Sequence, residues 1–107
     1  MGGGTGGGFK GTKGDKTNRW GVGSAESSYH NAITHYRKHG SEIGAKNFDD
    51  YLRKANAFKD TVLNKNIKGK LVSGYTSDVY RYSYNGKYID LQRLSDGNYQ
   101  IISHGKR

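Results

Sequence analysis

The chain has 107 residues, with 18 Lys and Arg against 9 Asp and Glu, a formal charge of +9, no cysteine and no proline. That length fits one small domain, and the absence of cysteine excludes a disulfide framework and any Cys-based zinc or iron–sulfur site. A cationic excess this large in so short a chain points to a polyanionic partner, either nucleic acid or an acidic protein.

Ten of the 17 glycines fall in the first 23 residues, so residues 1–23 read as a flexible glycine-rich lead and 24–107 as the folded body. Trp20 and Val22 are the first candidate anchors. The first helix is expected over 24–39, with Ser24 as N-cap, Glu26 favoured at the positive helix start and Gly40 at C′. Tyr29, Ala32, Ile33 and Tyr36 recur at helical spacing, which sets His35 and His39 side by side at the border of that face and turns His30 elsewhere. A second helix is expected over 48–63, capped by Asn47 with Asp50 at N3, and burying Phe48, Tyr51, Leu52, Ala55, Phe58 and Val62. A basic loop follows, placing Lys65, Lys68 and Lys70 near Lys59.

Beyond it the periodicity becomes two. Strands are expected over 79–84, 87–94 and 98–104, joined at Asn85-Gly86 and Asp96-Gly97, with 71–75 as a fourth. The fold class is therefore α+β, N-terminal helices packed on one face of a three- to four-stranded antiparallel sheet. Two-residue turns would align Arg81, Asp90 and Ser103 in one cross-strand row, opposite a Tyr82/Ile89/Leu91/Ile102 face. A slip of one residue at the second turn would break that row.

Familiar cofactor signatures fail. Gly21-Val22-Gly23 lacks a third glycine, no phosphate-loop ending exists, and no cofactor is expected. His35 and His39 have the spacing of a helical metal pair, but Tyr36 stands where a zinc peptidase needs Glu and no third ligand is evident, so no metal is expected. The bland reading makes both histidines edge residues satisfied by neighbours. The sharper one makes them proton-transfer groups, flanked by Arg37 and Lys38.

The chemistry that suits this inventory is cleavage of RNA by its own 2′-hydroxyl, which needs a base, an acid and cationic donors but no metal. Tyr75, Tyr80, Tyr82, Tyr84 and Tyr88 interleave with Arg81 and Lys87, a pattern that can stack bases and grip phosphates. Tyr80 and Tyr82 fit a core, whereas Tyr88 is the better candidate for RNA contact.

The segment His35-Tyr36-Arg37-Lys38-His39-Gly40-Ser41-Glu42-Ile43-Gly44 resembles a motif of the C-terminal toxin domains of bacterial polymorphic and contact-dependent growth inhibition systems. The resemblance extends to Tyr51, Leu52, Ala55 and Phe58 in the following helix, to Arg81-Tyr82, to Asp96-Gly97, and to the Phe9-Lys10-Gly11-Thr12-Lys13-Gly14 junction. Ile43 stands where Phe is usual, and in the last strand Ser103 replaces a Thr while a Phe and a Pro are absent. Such domains are placed with the Barnase–EndoU–colicin–RelE ribonuclease group. The resemblance implies a metal-independent ribonuclease, often a tRNase, carried at the C-terminus of a larger secreted effector and acting in the target-cell cytoplasm. It also implies a dedicated immunity protein, expected here to be acidic, and leaves room for a host factor.

The site expectation that follows assigns acid–base work to His39 or His35, with Lys38 and Arg81 steadying phosphate charge and Tyr82 and Ser103 as further donors. Lys65, Lys68, Lys70 and Tyr88 are the expected RNA contacts. The competing readings are a non-catalytic nucleic-acid-binding module, a domain that binds an acidic protein, and a DNase toxin. No membrane span is expected, since no stretch approaches about 18 apolar residues; nor does a charged-then-apolar leader open the chain, so an exported form would need another carrier.

Overall fold

A computed structural model describes residues 19–75 and 78–107; the glycine-rich run to residue 18, including the 9–14 junction, lies outside the described residues. Two helices pack on a four-stranded antiparallel sheet. The elements are α1 (Ser28–His39), a 3-10 turn (Ser41–Ile43), α2 (Phe48–Asn64), β1 (Lys70–Leu71), β2 (Val79–Tyr84), β3 (Lys87–Arg93) and β4 (Tyr99–Lys106), and the strands lie in sequence order.

The first helix starts four residues later than expected. Ser27, not Ser24, turns its hydroxyl back to accept the His30 N–H at 3.1 Å, so the first helical residue is Ser28. Three serines within five positions offer competing caps, and local sequence does not rank them. Tyr29 is 52 % exposed despite its helical spacing, and Val22 is 43 % exposed and anchors little. Gly40 has φ −56°, an ordinary right-handed conformation, so its role is room rather than a left-handed cap. A Cβ there would sit 2.7 Å from the Tyr36 ring.

α2 follows expectation closely. Asn47 accepts the Asp50 N–H at 2.8 Å, and the Asp50 carboxylate accepts the Lys46 N–H at 3.0 Å, a capping box displaced by one residue. Its buried stripe of Tyr51, Leu52, Ala55 and Val62 meets Tyr82, Ile89, Leu91 and Ile101 from the sheet. Each large apolar side chain buried in this way contributes about 1.5–3 kcal/mol. Trp20, fully buried, joins the same core and forms a parallel bridge to Ile101, so the end of the expected lead is part of the fold.

The β2–β3 hairpin turns at Asn85 (φ 52°) and Gly86 (φ 78°), the paired left-handed residues of a type I′ turn. Arg81 accordingly faces Asp90, and Tyr82 faces Ile89. The next hairpin departs from expectation. Leu94 N–H donates to the Asn98 carbonyl at 2.8 Å across a loop containing Gly97 at φ 89°, one residue longer than a two-residue turn. Leu91 therefore pairs with Ile101 rather than Ile102.

An irregularity between Asp90 and Leu91 absorbs the extra residue, and Asp90 still pairs with Ser103. The cross-strand row survives because two register shifts cancel. Ile101 takes the core place expected of Ile102, which turns to the opposite face beside Val79 and Gln92. The bulge leaves the Ile102 carbonyl outside the ladder, where the buried Asn31 amide donates to it at 2.9 Å and to the Gly21 carbonyl at 3.0 Å. Asn31 thereby ties α1 to β4, one helical turn before His35.

No described helix is long and apolar enough to cross a membrane.

Candidate active site

α2 covers one face of the sheet, and α1 runs beside the edge strand β4. The last turns of α1 reach the other face, where Arg81, Tyr88, Asp90 and Ser103 point. His35 and His39 lie with ring centroids 5.8 Å apart and planes inclined by 12°. This is the side-by-side placement that four-residue spacing predicts.

A continuous polar chain connects the two rings. Ser103 Oγ lies 3.1 Å from His35 Nδ1 and 3.1 Å from the Tyr88 hydroxyl, which lies 3.4 Å from His39 Nε2. On its other side His39 Nδ1 meets Glu42 Oε1 at 2.9 Å, and the Lys106 N–H donates to the same oxygen at 3.2 Å. The hydrogen bond from His39 is the main reason the Glu42 carboxyl sits below its ordinary range. A carboxylate on Nδ1 holds the proton there and turns the Nε2 lone pair toward Tyr88, the orientation a general base requires.

Burial pushes the His35 imidazole down to about 4, helped by the positive fields of His39 and Lys38 and opposed by Asp90. At neutral pH His35 is therefore uncharged, a hydrogen-bond partner for Ser103 rather than a cation. Trp20 walls its far side at 6.2 Å between centroids.

Arg81 binds Asp90 through Nε at 2.7 Å and Nη2 at 2.9 Å, while its guanidinium lies 4.1 Å above the Tyr88 ring centroid. The fork fixes the guanidinium over the site with donors to spare, and its side chain is 46 % exposed. Asp90 is 1 % exposed and needs that partner. Next to it, Lys68, Lys70, Arg81, Ser83 and Arg107 line a basic groove.

The structure thus gathers His35, His39, Arg81, Ser103 and Tyr88, with the exposed Lys38 on the same helix turn. It separates Tyr82, which follows Arg81 on the strand and so points into the core at 8 % exposure, away from the site. Tyr88 faces the site as expected but is buried, its ring under Arg81 and its hydroxyl in the polar chain, so it is no platform for a base. Lys68 and Lys70 reach the groove beside Arg81, whereas Lys65 lies over the Tyr84 ring at 5.4 Å.

Three contributors carry no role in the sequence expectation, although Glu42 lies within the motif that resembles the toxin domains. Glu42 sits three residues beyond His39, a visible spacing whose meaning depends on the 3-10 turn. Arg107 needs the sheet to bring it to Lys68. Gly105 stands just past the strand expected to end at 104, but β4 runs on through it, and a glycine inside a strand marks a close approach: a Cβ there would lie 3.0 Å from both the His39 ring and the Tyr88 ring. His104, its neighbour, is structural. Its Nδ1–H donates to the Tyr88 carbonyl at 2.8 Å, and burial lowers its basicity to about 4.

Among the described residues no three His, Asp or Glu side chains are grouped to hold a metal ion. No family model, curated protein or solved structure matches the chain.

Proposed function

We propose that the domain is a metal-independent endoribonuclease acting by 2′-hydroxyl transesterification, with tRNA or another structured RNA as substrate. The observation that supports this most directly is the chain Glu42–His39–Tyr88–Ser103–His35 beneath an arginine fork.

In this reading His39 Nε2 takes the 2′-hydroxyl proton, the freed oxygen bonds to phosphorus, and the P–O5′ bond breaks. Arg81 and Lys38 meet the charge that builds on the phosphoryl oxygens. The Tyr88 hydroxyl supplies the proton for the departing 5′-oxygen and recovers the one that His39 Nε2 took, across their 3.4 Å contact, while Ser103 holds the phenol oxygen in place. Neutral His35 orients Ser103. The Lys68/Lys70/Arg107 groove carries the backbone beyond the cut. The resemblance to secreted toxin domains extends the proposal to an effector that acts in a target-cell cytoplasm and is neutralised by an acidic immunity protein.

Incubation with total tRNA and synthetic RNA in EDTA tests the chemistry. Fragments ending in 2′,3′-cyclic phosphate and 5′-hydroxyl are expected, and strict dependence on a divalent metal overturns the mechanism. His39→Ala separates an enzyme from a binding module: it should lose cleavage while keeping RNA binding and its circular dichroism spectrum.

A further inference from the structure

One strand step from the Arg81/Asp90 row, about 7 Å along the sheet, the same face opens into a cleft of ≈ 270 Å³. Val79, Ile102 and Val22 supply apolar walls, Tyr75 an aromatic one, and Gln92 and Gln100 their amides. Gln92 and Gln100 are cross-strand partners, and both amide oxygens lie within 3.4 Å of the place a Cβ would occupy on Gly21. Neither side-chain amide makes a hydrogen bond to another described residue. Two half-buried amides that each offer donors and an acceptor, set between apolar and aromatic walls, form a surface for a planar polar ring.

We infer that this cleft is a nucleobase subsite, which receives the base beside the scissile phosphate and reads its edge through Gln92 and Gln100. The inference rests on the ribonuclease reading for its place in the reaction, though not for its binding chemistry. Three physical points support it. A glutamine amide matches the paired donor and acceptor on a base edge, adenine above all. Single-stranded RNA is recognised by splaying a base onto an aromatic side chain and hydrogen-bonding its edge. Val79 and Gln92, paired across β2 and β3, each lie two residues along their strand from Arg81 and Asp90 on the same face, so the cleft adjoins the catalytic cluster. The volume suits one ring system and falls short of the roughly 300–1,000 Å³ of sites for drug-sized ligands. The cleft would therefore set which nucleotide flanks the cut, while the basic groove on the other side of Arg81 would set affinity without sequence.

Two measurements test this. The first titrates the full-length His39→Ala chain with each of the four nucleoside monophosphates and follows the side-chain amide signals of Gln92 and Gln100 by NMR. Base-dependent shifts of these signals are expected, with the Gln100 signals losing their base dependence in Gln92→Leu and the Gln92 signals losing theirs in Gln100→Leu; shifts equal for all four monophosphates, or confined to the basic groove, overturn the subsite. The second compares cleavage of oligoribonucleotides that vary only at the positions flanking the cut. A preference of about tenfold or more at one position, flattened in the double leucine variant, is expected, and a preference untouched by it overturns the inference. Base-dependent NMR shifts without any RNA cleavage would sustain the cleft and reject the enzyme; cleavage without base-dependent shifts would do the reverse.

Discussion

Gly105 lies against the His39 ring so closely that a Cβ on it would stand 3.0 Å from His39 Cγ and Nδ1, and 3.0 Å from Tyr88 Cε1. The glycine permits the approach of imidazole and phenol that the proposed proton transfer needs. Gly105→Ala should push the two rings apart by a few tenths of an ångström and lengthen an already long 3.4 Å contact. Misplacement of reacting groups is costly, so cleavage should fall by about tenfold or more while the thermal midpoint moves little. Parallel activity and melting measurements check it; full activity would remove His39–Tyr88 contact from the mechanism.

Glu42 tests orientation separately from chemistry. His39→Ala should reduce cleavage by roughly 10²–10⁴-fold, the usual worth of a general base. Glu42→Gln keeps a hydrogen-bonding group but removes the charge that favours Nδ1–H, so a smaller loss is expected. Equal losses, or none with glutamine, would contradict the assigned tautomer.

Arg81 carries both a structural and a chemical load. Arg81→Ala leaves the buried Asp90 carboxylate without its fork and should destabilise the fold by about 1–3 kcal/mol, allowing for the half-exposed arginine. The double variant Arg81→Ala with Asp90→Ala should recover part of that stability without recovering cleavage. Denaturant midpoints and rates on the same samples decide the matter.

Folding should weaken in acid before most carboxylates titrate. His35 and His104 are held neutral by burial, with folded values of about 4 against an ordinary 6.5. Between those values the unfolded chain binds more protons than the folded one, so stability rises with pH from about 4 to 6.5 and is lost as pH falls through that window. Thermal melts across pH 4–7 should show the slope. His104→Phe cannot protonate and should flatten it, while losing the hydrogen bond to Tyr88 and melting lower at pH 7.

The basic groove should act through phosphates. Lys68→Ala, Lys70→Ala and Arg107→Ala should each reduce the salt dependence of RNA affinity by about one unit of log–log slope. Lys65→Ala should reduce it less, since that ammonium lies over Tyr84 away from the groove. Binding titrations at several salt concentrations distinguish them.

Much of this arrangement was legible in the linear order of residues. Periodicity fixed both helices, the four-residue spacing fixed the stacking of His35 on His39, and Asn85-Gly86 fixed the pairing of Arg81 with Asp90, because each depends on neighbours within a turn. The start of α1 was not legible, since Ser24 and Ser27 are equivalent caps until Asn31 ties the helix to β4. The pairing of Leu91 with Ile101 was hidden for a related reason: a longer loop at Gly97 and a bulge after Asp90 cancel, and local propensity sees neither.

Local chemistry along the chain determined the α+β class, the cationic surface and the supply of imidazoles. Tertiary structure alone decided which of them meet. It buried Tyr82, brought Tyr88 and Ser103 between the two histidines, set Gly105 beneath one ring, and opened the cleft at Gln92 and Gln100. Contacts across 49 and 68 positions, such as Tyr88 with His39 and Ser103 with His35, depend on how α1 crosses the edge of β4. That crossing is set by packing and by one buried amide rather than by any pattern within a window of sequence.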